Sequence, residues 1–284
     1  TNGVPQDMVE IGGRVAVCER MLLKGSCPYI YTMADGRFSF FSDCLWAAPL
    51  GLQTARGEIQ PTRAWEYLHI PGERLTPSEG SYWVMFTEEL WEAGYFDFAE
   101  LIAVDHPADV EIYSNEKVGP PDIAEFKIHT VRTRRFPERA VDPRGRDLRA
   151  QLQHADGDFV KAFDKRIRQG LTPEHYIELD LGPLQDPQQI TLFLTGWIFP
   201  TDTSLNVAFL QDPETDGPRM PSVWVPDASG QWQETIGFMG FPGGKTKTIA
   251  VDLSQAFLTA DYRLRIQTSA EIYWDEVFFT VDEA

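Results

Sequence analysis

The sequence predicts an all-β chain: two antiparallel β-sandwich or jelly-roll domains joined by an arginine-rich connector that carries one short helix. Three observations carry this reading. Short runs rich in β-branched and aromatic residues recur at regular spacing, separated by Gly- and Pro-containing turns. Aromatic residues make up 12% of the 284 residues and 20 are proline, a composition suited to many short strands and turns. One run has a helical repeat: in Asp158–Gln169, Phe159, Phe163 and Ile167 share a face and Gly170 supplies a stop. The expected division is an N-terminal β domain over 1–125, a basic connector over 126–170 and a C-terminal jelly roll over 171–284.

Residues 1–13 are a polar lead-in, and Arg14–Lys24 follows as a strand. The N-terminal domain is built on Cys27–Cys44, a β-hairpin. Asp35-Gly36 is its type I′ turn, because both residues tolerate positive φ. Counting outward, Ala34 faces Arg37, Met33 faces Phe38, Tyr31 faces Phe40, Tyr29 faces Ser42 and Cys27 faces Cys44. That register is compatible with a Cys27–Cys44 disulfide; Cys18–Cys27 is the alternative, and three cysteines leave one over. Leu45–Leu52 is a loop or a short turn of helix, and its Trp46 is a core plug or an exposed platform. Strands are expected at Trp65–Ile70, Ser81–Glu88, Tyr95–Val104 and Val110–Tyr113.

The connector concentrates Arg132, Arg134, Arg135, Arg139, Arg144, Arg146 and Arg149. Beyond it, strands are expected at Tyr176–Leu181, Ile190–Trp197, Leu205–Leu210, Val223–Pro226, Gln231–Ile236, Thr246–Leu253, Arg263–Gln267 and Glu271–Val281. The last of these carries the run IYWDEVFFTV.

The net charge of −18 disfavours nucleic acid and anionic membrane surfaces except through a local patch. No apolar run reaches the ~20 residues that span a bilayer, so no transmembrane segment is expected. No leader precedes Thr1, so an exported protein would be represented here in its mature form.

Motifs of enzyme chemistry are missing: no nucleophile elbow, P-loop, zinc spacing or haem-attachment motif is present. The histidines His69, His106, His129, His154 and His175 are scattered. Glu88, Glu89 and Glu92 around Trp91 have the composition of a glycosidase acid/base pair, and equally that of a solvated acidic turn. Aromatic residues are the stronger signal. Trp224 and Trp232 border a predicted turn, where an indole face could stack on a sugar ring. Asp202, Asp212, Asp216 and Asp275 are hard oxygen donors of the type Ca²⁺ takes, and a structural Ca²⁺ is a further expectation; no other cofactor is expected. Arg132, Arg134 and Arg135 are candidates for docking an acidic partner.

The run CPYIYTMADGRFSFFSDCLWAAPLGL resembles a segment that follows the repeat regions of bacterial FG-GAP or TPR proteins of the cartilage-acidic-protein (ASPIC/UnbV) type. Met33-Ala34 replaces the usual aromatic residue before Asp35-Gly36. The resemblance continues through GSYWVMFTEELWEAGYFDFAELIAVDHPADVEIYSNE and returns in FPGGKTKTIAVDLS and IYWDEVFF. Residues 171–284 are similar to a galactose-binding-like jelly roll. The resemblance implies a periplasmic or extracellular setting, membrane-associated through a partner, and identifies no reaction. The expected function is a non-catalytic binding or interaction module, an accessory subunit of an envelope-associated assembly with a protein partner. The alternatives are a carbohydrate-binding module with a glycan ligand and a glycan-active enzyme.

Overall fold

The structure, a computed structural model, describes residues 6–11, 14–19, 28–45, 53–59, 65–87, 94–212, 214 and 217–282. Its strands, in chain order, open with β1 (Gln6–Ile11), β2 (Arg14–Glu19), β3 (Tyr29–Ala34), β4 (Arg37–Asp43), β5 (Gln53–Ala55), β6 (Glu58–Ile59) and β7 (Val84–Thr87). There follow β8 (Glu111–Ser114), β9 (Lys117–Val118), β10 (Ile128–Val131), β11 (Arg139–Val141), β12 (Leu171–Asp180) and β13 (Thr191–Ile198). After helix α1 (Thr203–Gln211) come β14 (Ser222–Pro226), β15 (Trp232–Ile236), β16 (Phe241–Pro242), β17 (Lys247–Asp252), β18 (Arg263–Ala270) and β19 (Ile272–Thr280). The chain is all-β, and the strand pairs are antiparallel.

Two compact units divide the chain: unit 1 is Thr1–Leu45 with Ile70–Leu101, and unit 2 is Trp46–His69 with Ile102–Ala284. The boundaries expected at 125 and 170 do not fall between them.

Unit 1 holds the β1–β2 hairpin and a three-stranded sheet in the order β4-β3-β7. The β3–β4 turn is the one expected, with Asp35 at φ 50° and Gly36 at φ 73°. Ala34 faces Arg37, Met33 faces Phe38 and Tyr31 faces Phe40. A bulge then adds one residue to β4, so Ile30 faces Ser42 and Tyr29 faces Asp43. The Cys44 amide accordingly donates to the Pro28 carbonyl at 3.0 Å. The expected register, Tyr29 opposite Ser42 and Cys27 opposite Cys44, is thus displaced by one residue. Cys44 is buried, its Sγ reaches the same Pro28 carbonyl at 3.6 Å, and no disulfide is seen among the described residues. Cys27 and the Cys18 side chain lie outside them.

Unit 2 packs a five-stranded sheet, β11-β12-β18-β14-β15, against a three-stranded one, β17-β13-β19. Strand alternation explains the core between them. Ile177 and Leu179 of β12, Leu264 and Ile266 of β18, and Val223 and Val225 of β14 point inward. They meet Leu192 and Leu194 of β13, Ile249 and Val251 of β17, and Val277 and Phe279 of β19. Phe193 and Phe278 project from the opposite face of the smaller sheet and stack 4.8 Å apart. There the β8–β10 pair supplies Val131 and Tyr113, and Phe136 packs alongside. This second layer is why every residue of β13 is buried. Gly196 sits at a bulge where a Cβ would lie 2.5 Å from the Tyr273 carbonyl oxygen, so β13 and β19 need glycine there.

Residues 126–170 are an integral part of unit 2. They supply β10 and β11, and they close the outer edge of β19. Arg135 exchanges two backbone hydrogen bonds with Phe279, at 2.9 and 2.8 Å, and Val160 exchanges two with Trp274, at 2.7 and 3.0 Å. Leu148, Leu152, Val160, Ala162 and Phe163 are buried. The helix expected over 158–169 is absent, because Val160 and Ala162 alternate with exposed Lys161 as extended chain against β19. A helix does form over 203–211, where a strand was expected. Asp202 caps it, its Oδ1 accepting the Leu205 amide at 2.7 Å. The expected strands at 65–70 and 95–104 are irregular chain. Among the described residues no helix is long and apolar enough to cross a membrane.

Candidate functional site

The outward-facing residues of the five-stranded sheet form the candidate site. Because β12 alternates, burying Ile177 and Leu179 turns Glu174, Tyr176, Glu178 and Asp180 to the other side. Register then sets Glu178 beside Arg265, Arg265 beside Trp224, and Trp224 beside Glu234. One row across four strands is therefore carboxylate, guanidinium, indole, carboxylate.

Arg265 is the organising group of this face. Its guanidinium lies 4.1 Å from the Tyr176 ring centre and 4.0 Å from that of Trp232, held between the two rings. Nε and Nη2 both donate to Glu178 Oε2, at 2.9 and 2.8 Å, while Arg139 donates to Oε1 at 3.0 Å. Both Glu178 oxygens are satisfied and the aromatic side chains are fixed in orientation. At the strand end, Asp227 ties the β14–β15 turn. It accepts the Ser229 hydroxyl at 2.6 Å, the Ser229 and Gln231 amides at 2.8 and 3.0 Å, and the Gln233 side chain at 3.0 Å. The Ser229 hydroxyl first, then the Gln231 amide, hold its carboxyl down at about 2.

Beside Trp224 the face opens into a groove of about 240 Å³, lined among others by Glu58, Glu174, Arg219, Trp224, Glu234 and Gln267. Glu174 is pre-positioned: Arg219 Nη1 donates to one oxygen at 2.9 Å and Gln267 Nε2 to the other at 2.6 Å. Trp224 Nε1 donates to Ser222 Oγ at 3.0 Å, which fixes the indole. Three carboxylates against one guanidinium make the groove a set of hydrogen-bond acceptors beside an aromatic face.

The structure brings together two of the residues singled out from sequence, Trp224 and Trp232, both half-buried on this face. Trp232 is already covered by Arg265 on one side, so Trp224 is the ring that borders open space. Trp46, and the Glu88–Glu92 stretch, lie outside the described residues.

The arginines do not form a docking cluster. Arg132 pairs with Asp109 at 2.5 Å on the surface. Arg134 is consumed internally: it pairs with Glu276 and lies 4.4 Å from the Phe278 ring centre. Arg135 contributes its backbone to the β19 edge and keeps an exposed side chain.

The Ca²⁺ candidates are not brought together either. Asp202 and Asp212 cap opposite ends of a nine-residue helix, and both are committed to backbone amides, Leu205 and Glu214. A helix of that length holds its ends ~13 Å apart, too far for one ion. Asp275 is buried on β19 and accepts the Gly157 amide at 3.0 Å; burial pushes its carboxyl above the ordinary range. Asp216 lies outside the described residues, and no metal-type cluster occurs among them.

Glu174, Arg219, Glu234 and Gln267 were not picked out from sequence. Strand alternation was the available signal for Glu174 and Gln267: RLRIQ in β18 and EHYIE in β12 put polar residues at every second position. No family model matches the chain, and neither a curated protein nor a solved structure does.

Proposed function

We propose that the chain is a non-catalytic binding module that takes a neutral, hydroxyl-rich ligand of the glycan class on the outer face of the five-stranded sheet. The observation that carries it is the groove beside Trp224, where a fixed indole borders Glu174, Glu234 and Gln267. An aromatic face gives apolar area to the C–H face of a sugar ring, and carboxylates accept its hydroxyls. The excess of carboxylates argues against anionic glycans, which would meet like charge. The extracytoplasmic setting and a place in an envelope assembly are proposed on the sequence resemblance alone.

Isothermal titration against a panel of soluble neutral and anionic oligosaccharides tests this reading. Binding of a neutral member is expected, weakened about tenfold or more by Trp224→Ala, with an unchanged melting profile as the folding control. No binding across the panel, or binding that Trp224→Ala and Glu174→Ala both leave intact, overturns it.

A further inference from the structure

Unit 1 carries a second surface of different character, unrelated to the glycan reading. β7 lies at the side of its sheet, paired with β3 alone among the described residues. Register pairs Thr87 with Tyr29, Met85 with Tyr31 and Val84 with Thr32, and the Met33 amide donates to the Trp83 carbonyl at 3.1 Å. Residues 83, 85 and 87 therefore face β3 with their backbone groups. The amides and carbonyls of Val84 and Phe86 point the other way.

Soluble proteins guard such an edge with lysine, proline or a bulge. Ser81–Thr87 reads SYWVMFT, with no charge and no proline. Its aromatic side chains are exposed: Tyr82 57%, Trp83 48% and Phe86 39%. The Phe86 ring meets Phe96 at 4.9 Å, and Phe96 has Tyr95 (88% exposed) and Phe98 (55%) as near neighbours in the chain.

We infer that a second copy of this chain pairs on β7, antiparallel and about a two-fold axis. Three features favour a second copy. An antiparallel edge centred on Met85 is self-complementary: it sets Val84 of each copy against Phe86 of the other, the geometry of an isologous interface. The chain carries a net charge of −18, yet this strand carries none, so two copies meet here without like charges set directly opposite one another. The area is of the order required. At ~150–250 Å² per ring, the exposed parts of these six aromatic side chains amount to roughly 500–800 Å² per copy, against about 800 Å² per partner in a stable interface.

Sedimentation of the purified chain from about 1 to 200 μM tests it, with hydrogen exchange read at single amides. A dimer is expected, with the Val84 and Phe86 amides slowed at the high concentration and the amides bonded to β3 unchanged. Phe86→Lys should weaken the dimer at least tenfold by placing a cation against each copy's edge. A monomer throughout the range overturns the proposal. So does a dimer in which exchange at Val84 and Phe86 is independent of concentration. Should Phe86→Lys fold poorly, the exchange measurement on the unaltered chain decides alone.

Discussion

The smaller sheet of unit 2 and the sheet of unit 1 treat their edges in opposite ways. In unit 2 the outer edge of β19 takes backbone bonds from Arg135, Leu152 and Val160. The outer edge of β17 is closed largely by side chains: Glu116 accepts the Thr248 amide at 2.7 Å and Asn115 the Ala250 amide at 3.3 Å, while the Glu116 amide donates to the Thr248 carbonyl at 3.1 Å. Withdrawal from water pushes the Glu116 carboxyl up, against the pull of Lys247, so this closure carries an electrostatic cost. In unit 1, β7 and the two residues before it present uncharged Tyr82, Trp83 and Phe86 instead. Irregular chain finishes a sheet as surely as a strand does. Where a sheet is left unfinished and apolar, another chain is the natural complement.

The largest expected effect comes from breaking the closed edge at its charge. Arg134 and Glu276 pair beside β19, with side chains 27% and 8% exposed. Burial raises the Glu276 carboxyl, and Arg134 is the first group pulling it back. Arg134→Met leaves that carboxylate uncompensated and is expected to cost about 3 kcal/mol in denaturant unfolding at pH 7. A carboxyl raised in the fold penalises stability above its unfolded value, near 4.3, and the penalty grows as pH rises from there. The variant's deficit should therefore shrink on acidification toward pH 4. An equal deficit at pH 7 and pH 4 would place the loss in packing against Phe278. Arg134 thus turns its guanidinium to Glu276 and the Phe278 ring within the fold.

A smaller effect separates edge closure from mere coverage. Val160 is buried and bonded on both backbone groups to Trp274. Val160→Ala keeps the hydrogen bonds and removes two methyl groups, for about 1–2 kcal/mol. Were residues 158–169 a solvated connector, the change would cost nothing measurable, and a null result in chemical denaturation would return that reading.

Much of the fold was legible because it is local. Asp35-Gly36 specifies its turn through positive φ, and the alternation of β12, β17 and β18 follows from the two-residue repeat. What was not legible is set by distant partners. Nothing in RFSFFSDC marks the bulge that moves Cys44 opposite Pro28. Phe159, Phe163 and Ile167 have helical spacing, but Phe159 meets Trp197 and Phe163 meets Tyr273, contacts that extended chain also provides. The helix at 203–211 was hidden by the apolar run of residues 205–210, although Asp202 stood in the capping position. Trp224 was found by residue type; the groove beside it is lined from five separate stretches of chain, which need register to meet.

The smallest expected effect tests whether position, rather than charge, distinguishes neighbouring arginines. Arg132 stands two residues from Arg134 and also has a carboxylate partner, Asp109, but the two side chains are 47% and 68% exposed. Water solvates both ions in the folded and unfolded states, and salt screens what attraction remains. Arg132→Met is therefore expected to cost no more than about 1 kcal/mol at low salt and less at 0.5 M. The Arg134→Met deficit should change little over the same salt range, since Glu276 is shielded from ions. If the two variants lose stability equally and respond equally to salt, the contrast between a closed edge and an exposed surface pair fails, and the cluster acts as one solvated basic patch.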